Sequence, residues 1–271
     1  MTAEPMTEAA ESLVTQDGSV LTIAVSTPAA GNSLADDAML AGAAALREVA
    51  RGEREVGAVL LVGTGNNFCA GGNVKAFASA DQRPAYLREI ADNFHAFVGA
   101  LYEANRPVVA AVKGWAAGAG MSIVLHADVA VGGASTRMRP AYRGIGLSPD
   151  GGMTWTLPRI VGPARARHLI LTDQVIEAEQ ALAWGLLSDV VDDAEVESSA
   201  RAAADKIAAG PWQSDASTRE LLWRSANTSL TEHLSAEARS ISTLSGSVEG
   251  IEGVDAFVAK RKPDFAAARK S

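Results

Sequence analysis

Phe68-Cys-Ala-Gly-Gly-Asn-Val-Lys75 is the stretch on which the reading of this chain turns. It reads as a strand end breaking into two consecutive glycines. Paired glycines permit positive φ and let a ligand come close to the main chain, properties an ordinary strand-to-helix connection does not need. A second stretch of the same kind, Lys113-Gly-Trp-Ala-Ala-Gly-Ala-Gly-Met-Ser122, follows downstream. The pair suggests two turns that each aim one backbone N–H at a shared ligand oxygen, the arrangement of an oxyanion hole.

The segments on either side supply the frame. Val108 to Val112 is apolar, preceded by Arg106-Pro107, and reads as a buried strand leading straight into the second turn. Val56 to Val62 is the equivalent run ahead of the first turn, ended by Gly63-Thr-Gly65-Asn-Asn67. Val20 to Ser26, after an Asp17-Gly18 turn, and Asp128 to Gly132 read as further strands. Leu34 to Val49 and Arg83 to Asn105 carry apolar residues at mostly helical spacing, the first with Asn32 or Ser33 as its cap, and Ser122 to Ala127 reads as a short helix. Strands alternating with helices predict an α/β fold with short parallel strands.

Pro140 to Trp155 holds Gly144, Gly146, Pro149, Asp150, Gly151 and Gly152 and reads as loop until about Met153. Ala164 to Thr172 and Glu177 to Trp184 read as helices and Ser188 to Val191 as a short strand. Residues 194–271 are Ala-rich, charged and helical in pattern, broken at Gly210-Pro211 and Gly250. The expected division is therefore a core over residues 1–193 and a helical region over 194–271.

Composition narrows the function classes. The 271 residues, 48% of them hydrophobic, can bury a sizeable core. Lys plus Arg number 24 against 32 Asp plus Glu, and the resulting charge of -8 argues against a nucleic-acid partner. Cys69 is the one cysteine, which excludes an internal disulfide framework and points to a reducing compartment, the cytoplasm. The histidines at 95, 126, 168 and 233 show no metal-ligand spacing, so no metal is expected. Met1 to Gln16 lacks the basic start and apolar run of a signal peptide. Met121 to Val131 is interrupted by His126 and Asp128 and is too short to cross a membrane.

Two motifs admit plainer readings. Gly63-Thr-Gly65 looks like the start of a dinucleotide fingerprint, but Phe68 stands where the third glycine belongs. Asp150, following Pro149, is either a turn-and-cap residue for the helix beyond or an acid placed in a pocket.

Taken in order, these stretches resemble the enoyl-CoA hydratase/isomerase, or crotonase, superfamily. The likeness is carried by Asn32-Ser-Leu34, Phe68 to Lys75, Arg106-Pro-Val-Val-Ala-Ala-Val-Lys-Gly114 through Gly120, and Ile145-Gly-Leu-Ser-Pro-Asp150. It continues through Leu157-Pro-Arg-Ile-Val-Gly162, Ala181-Leu-Ala-Trp-Gly-Leu-Leu187, and Glu249-Gly-Ile-Glu-Gly253 to Lys260-Arg-Lys-Pro263. The resemblance implies a spiral of strand-strand-helix repeats with a C-terminal helical region that trimerises, giving a homotrimer or a dimer of trimers. It also implies acyl-CoA thioester substrates and no cofactor beyond their CoA moiety.

Carried onto this sequence, the resemblance makes Ala70 and Ala119 the oxyanion donors. It places CoA contacts at Ala30, Ala70, Gly71, Gly72, Asn73 and Gly118. The two glutamates that the family's hydratases use to deliver water fall on Ser122 and Tyr142, neither of which is a carboxylate. Asp150 stands where ring-opening epoxyphenylacetyl-CoA isomerases and 4-chlorobenzoyl-CoA dehalogenases place a working aspartate. His95 and Tyr142 fall where the dehalogenases carry a histidine base and an aromatic residue. The resulting expectation is an enoyl- or epoxy-acyl-CoA isomerase in which Asp150 moves a proton through a thioester enolate, with Ser122, Tyr142 and His95 lining the pocket. A hydratase, an aspartyl-ester-forming thioester hydrolase or dehalogenase, and a non-catalytic acyl-CoA-binding paralogue remain alternatives.

Overall fold

The apolar runs pair side by side into one sheet. A computed structural model describes residues 13–271, so the signal-peptide reading on Met1 to Gln16 falls almost wholly outside the described residues. Six strands lie in the order β1 (Val14–Asp17), β2 (Val20–Ser26), β3 (Ala58–Gly63), β4 (Val108–Val112), β6 (Val129–Gly133) and β9 (Asp189–Val191). β1 runs antiparallel to β2, and the other pairings are parallel, with Val59 beside Val108 and Val109 beside Val129. A smaller sheet that the sequence pattern did not reveal joins β5 (Trp115–Ala117), β7 (Arg137–Arg139) and β8 (Ile176–Glu177).

Both faces of the large sheet are covered, which is why its central strands read as unbroken apolar runs. Ile23, Leu61 and Ala110 face α1 (Asp36–Ala50) and α3 (Arg83–Glu103), where Met39, Leu46, Phe94 and Phe97 complete the main core. Between these helices lies the short α2 (Val74–Ser79), opened by Asn73, whose side chain accepts from the Ala76 N–H. Residues of opposite pleat, among them Leu60, Val109 and Val131, pack on α8 (Val196–Ala208) through Val196, Ala200, Ala204 and Ala208. Alanines at four-residue intervals give that helix a smooth face that can lie close on the sheet. The helical region read from residue 194 therefore begins with a helix in the sheet's rear layer.

The remaining helices are α4 (Ala119–Val124), α5 (Met153–Val161), α6 (Pro163–Thr172), α7 (Ala178–Ala183), α9 (Trp212–Ser225), α10 (Leu230–Ser245), α11 (Val248–Val258) and α12 (Phe265–Ala268). α4 starts three residues earlier than its sequence pattern suggested, because Gly118 at φ +55 makes the turn and Ala119 is already helical. α1 begins after Ala35 without a side-chain cap; Ser33 instead turns its hydroxyl onto the Ala30 carbonyl.

The outer helices are locked to the core by one buried acid. Glu249 on α11, 2% exposed, accepts the Trp212 and Gln213 N–H groups at 3.0 and 2.9 Å and the Arg269 guanidinium at 2.5 Å. Trp212 in turn lies so close to Gly57 that a Cβ there would stand 2.3 Å from its indole nitrogen. Breaking a buried pair by removing one partner costs about 3–5 kcal/mol. Glu249→Leu should lower unfolding stability by about that amount in urea titration; an unchanged midpoint would show that the lock contributes nothing.

Candidate active site

After β3 the chain returns alongside β5. Phe68 N–H donates to the Lys113 carbonyl at 2.6 Å, Cys69 N–H to Trp115 at 3.0 Å, and Ala117 N–H to Cys69 at 2.9 Å. Cys69 and Ala116 thereby form a parallel bridge. The pairing lays the two glycine turns edge to edge. A Cβ on Gly71, at φ +101, would lie 3.0 Å from the Ala117 carbonyl oxygen, and one on Gly120 would lie 2.2 Å from that of Cys69. Only glycine fits where two backbones approach this closely.

One expected donor is not free. Ala70 N–H donates to the Asn32 carbonyl at 2.7 Å, with Asn32 itself at φ +58, and Leu34 N–H donates to the Gly71 carbonyl at 2.8 Å. These two bonds tie residues 32–34 onto the first turn and consume the Ala70 amide. The N–H groups of Gly71 and Gly72 have no acceptor among the described residues. Gly71 is buried and Gly72 half-buried, so Gly72 carries the amide that a ligand can reach. The unspent, reachable amide of the first turn is thus that of Gly72 and not the expected Ala70. Ala119, as the first residue of α4, has an N–H with no acceptor within its helix, as expected of that position.

Ala30 lies in the turn that leads to Asn32. Its N–H donates to Thr27 and its carbonyl accepts from Ser33, so its polar groups are already paired.

The structure gathers Ser122, Tyr142, Asp150 and His95 into one cluster. The Tyr142 hydroxyl donates to Asp150 Oδ1 at 2.6 Å. Ser122 Oγ donates to the Asp150 carbonyl at 3.0 Å, lies 3.3 Å from the Tyr142 hydroxyl, and reaches the Gly118 carbonyl at 3.3 Å, joining the cluster to the second turn. His95 Nε2 accepts from Gly151 N–H at 3.1 Å. The cap reading of Asp150 does not hold for its side chain: α5 begins after Gly152 with no side-chain cap, and only the Asp150 main-chain oxygen accepts from Met153. Asp150 Oδ2 has no partner among the described residues, leaving one carboxylate oxygen for a ligand.

Electrostatics assign the proton in the tyrosine–aspartate pair. Burial, and then the neighbouring charge of Asp150, push the Tyr142 phenol above its usual range, so Tyr142 stays protonated and acts as the donor. Ser122 is fully buried. The buried Cys69 thiol is pushed up to about 12 by desolvation and stands as an inert small side chain.

In the sequence His126 appears only as a polar break in the apolar stretch Met121 to Val131. Its imidazole is in fact turned to Gly151 and Tyr102: Nε2 lies 2.8 Å from the Gly151 carbonyl oxygen and Nδ1 2.8 Å from the Tyr102 hydroxyl. A cavity of about 520 Å³ borders the same histidine, walled by Tyr102, Trp155, Arg159, Arg219 and Trp223 and by no residue of either glycine turn. Among the described residues, no group of three or more His, Cys, Asp or Glu is placed to hold a metal, and no helix is long and apolar enough to cross a membrane.

The chain that carries these turns and this carboxylate is similar to known proteins over nearly its whole length. The family model described as Enoyl-CoA hydratase/isomerase matches residues 15–268, and the chain belongs to that family. It is 38% identical to a "Probable enoyl-CoA hydratase" of Rhodobacter capsulatus over 80% of this chain and 82% of that one. It is 33% identical to the 1,2-epoxyphenylacetyl-CoA isomerase of Escherichia coli K12 over 91% and 94% of the two chains. Among solved structures, an enoyl-CoA hydratase from Polaromonas sp. JS666 superposes with a TM-score of 0.86 at 31% identity, covering 92% of this chain and 97% of that one.

The edge-to-edge contact of the turns is testable directly. Because the Cys69 backbone cannot move aside, Gly120→Ala should cost about 1–3 kcal/mol of stability, seen as a lower urea midpoint. A wild-type midpoint would mean the turns do not abut.

Proposed function

We propose that this chain is an acyl-CoA isomerase that works through a thioester enolate. The Gly72 and Ala119 amides bind the thioester oxygen. Asp150 removes a proton from the carbon beside the carbonyl, the electron pair moves onto that oxygen, and the same carboxylate returns the proton further along the acyl chain. In an enoyl substrate this shifts the double bond; in a ring-1,2-epoxy substrate the carbon–carbon bond shared by the epoxide and the carbocycle breaks, its electrons forming new double bonds around the widened ring, and the same removal and return of one proton completes the isomerisation. No atom is gained or lost.

The observation that carries the reading is the bond from Tyr142 to Asp150 Oδ1. It holds a carboxylate with its second oxygen free, while the two positions where the family's hydratases carry glutamate hold a buried serine and a protonated tyrosine. The likeness to the Escherichia coli isomerase supports the same choice. The hydratase names of other relatives keep water addition as the competing reaction.

The assembly belongs to the proposal as well: a cytoplasmic homotrimer, or a dimer of trimers. Its support is the apolar surface of the outer helices, where Leu230, Leu234 and Ile241 on α10 and Val254, Phe257 and Val258 on α11 are all more than half exposed. An apolar face of this extent on a lone chain calls for a partner.

General acid–base groups contribute roughly 10²–10⁴-fold. Asp150→Asn should therefore lower kcat/KM by that range on the best enoyl- or epoxy-acyl-CoA ester of a product-resolved screen, with thioester binding kept. Full activity in the variant, or net addition of water as the wild-type product, would overturn the isomerase reading. Light scattering should give about three or six times the 28.0 kDa chain mass; a monomer would refute the assembly.

A further inference from the structure

We propose that His95 and His126 grip Gly151 by its two main-chain polar groups and thereby position Asp150, with Tyr102 selecting the tautomer of His126 that can do so. The proposal rests on the reading of Asp150 as the proton-transfer group. His95 and His126 are positioning residues in it.

The hydrogen-bond partners fix the chemistry of both rings. A carbonyl oxygen only accepts, so the His126 nitrogen facing Gly151 must carry hydrogen. Burial lowers the His126 pKa and favours the neutral ring, which leaves a lone pair on Nδ1. Tyr102, held protonated by its own burial, supplies the hydrogen that this lone pair accepts. On the other side the Gly151 N–H only donates, so His95 must present a bare Nε2 and carry its hydrogen on Nδ1. The two histidines are thus required in opposite tautomers, His95 by the Gly151 N–H alone and His126 by the Gly151 carbonyl on one nitrogen and the Tyr102 hydroxyl on the other.

The loop needs such an external hold. Gly151 and Gly152 sit at φ +57 and +79, and glycine has no strong preference of its own for that region. The space around Gly151 is already taken, since a Cβ there would lie 2.2 Å from a Phe94 ring carbon and 3.0 Å from Ser122 Cβ. Ser122 holds the Asp150 carbonyl, His95 the next N–H and His126 the next carbonyl, so three consecutive polar groups of the main chain are bonded. A misplacement of about 1 Å in a reacting group can cost on the order of 10²-fold in rate.

The test uses the full chain labelled with ¹⁵N-histidine, and two-bond ¹H–¹⁵N spectra that read each ring's tautomer. His126 should appear with its hydrogen on Nε2 and His95 with its hydrogen on Nδ1; either ring in the other form overturns the clamp. Tyr102→Phe should erode the Nε2–H form of His126, and an unchanged spectrum would remove Tyr102 from the scheme. In kinetics, His95→Leu and Tyr102→Phe should each lower kcat tenfold or more with KM within about twofold. His95→Gln, whose side-chain oxygen can accept the same N–H, should recover most of the loss. Wild-type kcat in His95→Leu would refute the positioning role. The spectra decide the clamp without any turnover, whereas an active Asp150→Asn variant would overturn the reading of Asp150 and leave the spectra as they are, so the two failures are distinguishable.

Discussion

The pairing of Phe68 and Cys69 with the start of β5 is the constraint on which the site depends. Two strands of the large sheet, β3 and β4, each run on past their ends into a glycine turn. Nothing in a parallel sheet obliges those turns to meet. They meet because three main-chain hydrogen bonds between residues 68–69 and 113–117 carry the first turn across to the second. Trp115 N–H is further held by the Asn67 side chain at 2.9 Å, and Gly114 passes so near Asn66 that a Cβ would stand 2.4 Å from its carbonyl oxygen. The unspent amides of Gly72 and Ala119 therefore follow directly on paired backbone, three residues beyond Cys69 and two beyond Ala117. In the proposed reading these amides are oxyanion donors, and donors held in place need no reorganisation when charge develops beside them; losing one such donor typically costs about 2.7–4 kcal/mol of transition-state stabilisation.

The second half of the site is built to a different plan. Asp150 comes from a loop, and its place is set by Tyr142 of the same loop on the carboxylate and by side chains from distant helices, Ser122 on the carbonyl and the two histidines beyond. Three of those side chains are anchored on helices, Ser122 on α4, His126 two residues past its end, and His95 on α3. α4 thus serves both halves, opening with the Ala119 amide and followed two residues past its end by the histidine that holds Gly151.

Much of this was legible in the sequence, and the limits have physical causes. Buried parallel strands announce themselves as continuous apolar runs, and glycines packed against another backbone admit no substitute, so strands and turns could be read from composition and order. The cluster of Ser122, Tyr142, Asp150 and His95 came from a resemblance and is brought together by the fold. What escaped the sequence was long-range hydrogen bonding. Ala70 sits in the right turn, yet its amide is taken by Asn32, a residue 38 positions earlier whose left-handed conformation no local pattern signals. The strands β5, β7 and β8 are two or three residues long, too short to show a period. His126 interrupts an apolar run and carries no motif of its own; its role depends on Tyr102 and Gly151, which flank it only in three dimensions.

The central claim is that two main-chain amides, one from each glycine turn, polarise a single thioester carbonyl. The most direct measurement is the isotope-edited infrared spectrum of a saturated acyl-CoA, labelled with ¹³C at the thioester carbonyl and bound to the protein without turnover. The carbonyl band should move to lower wavenumber than in water, as two fixed donors draw charge onto the oxygen. A bound thioester whose band stays at its aqueous position would contradict the account.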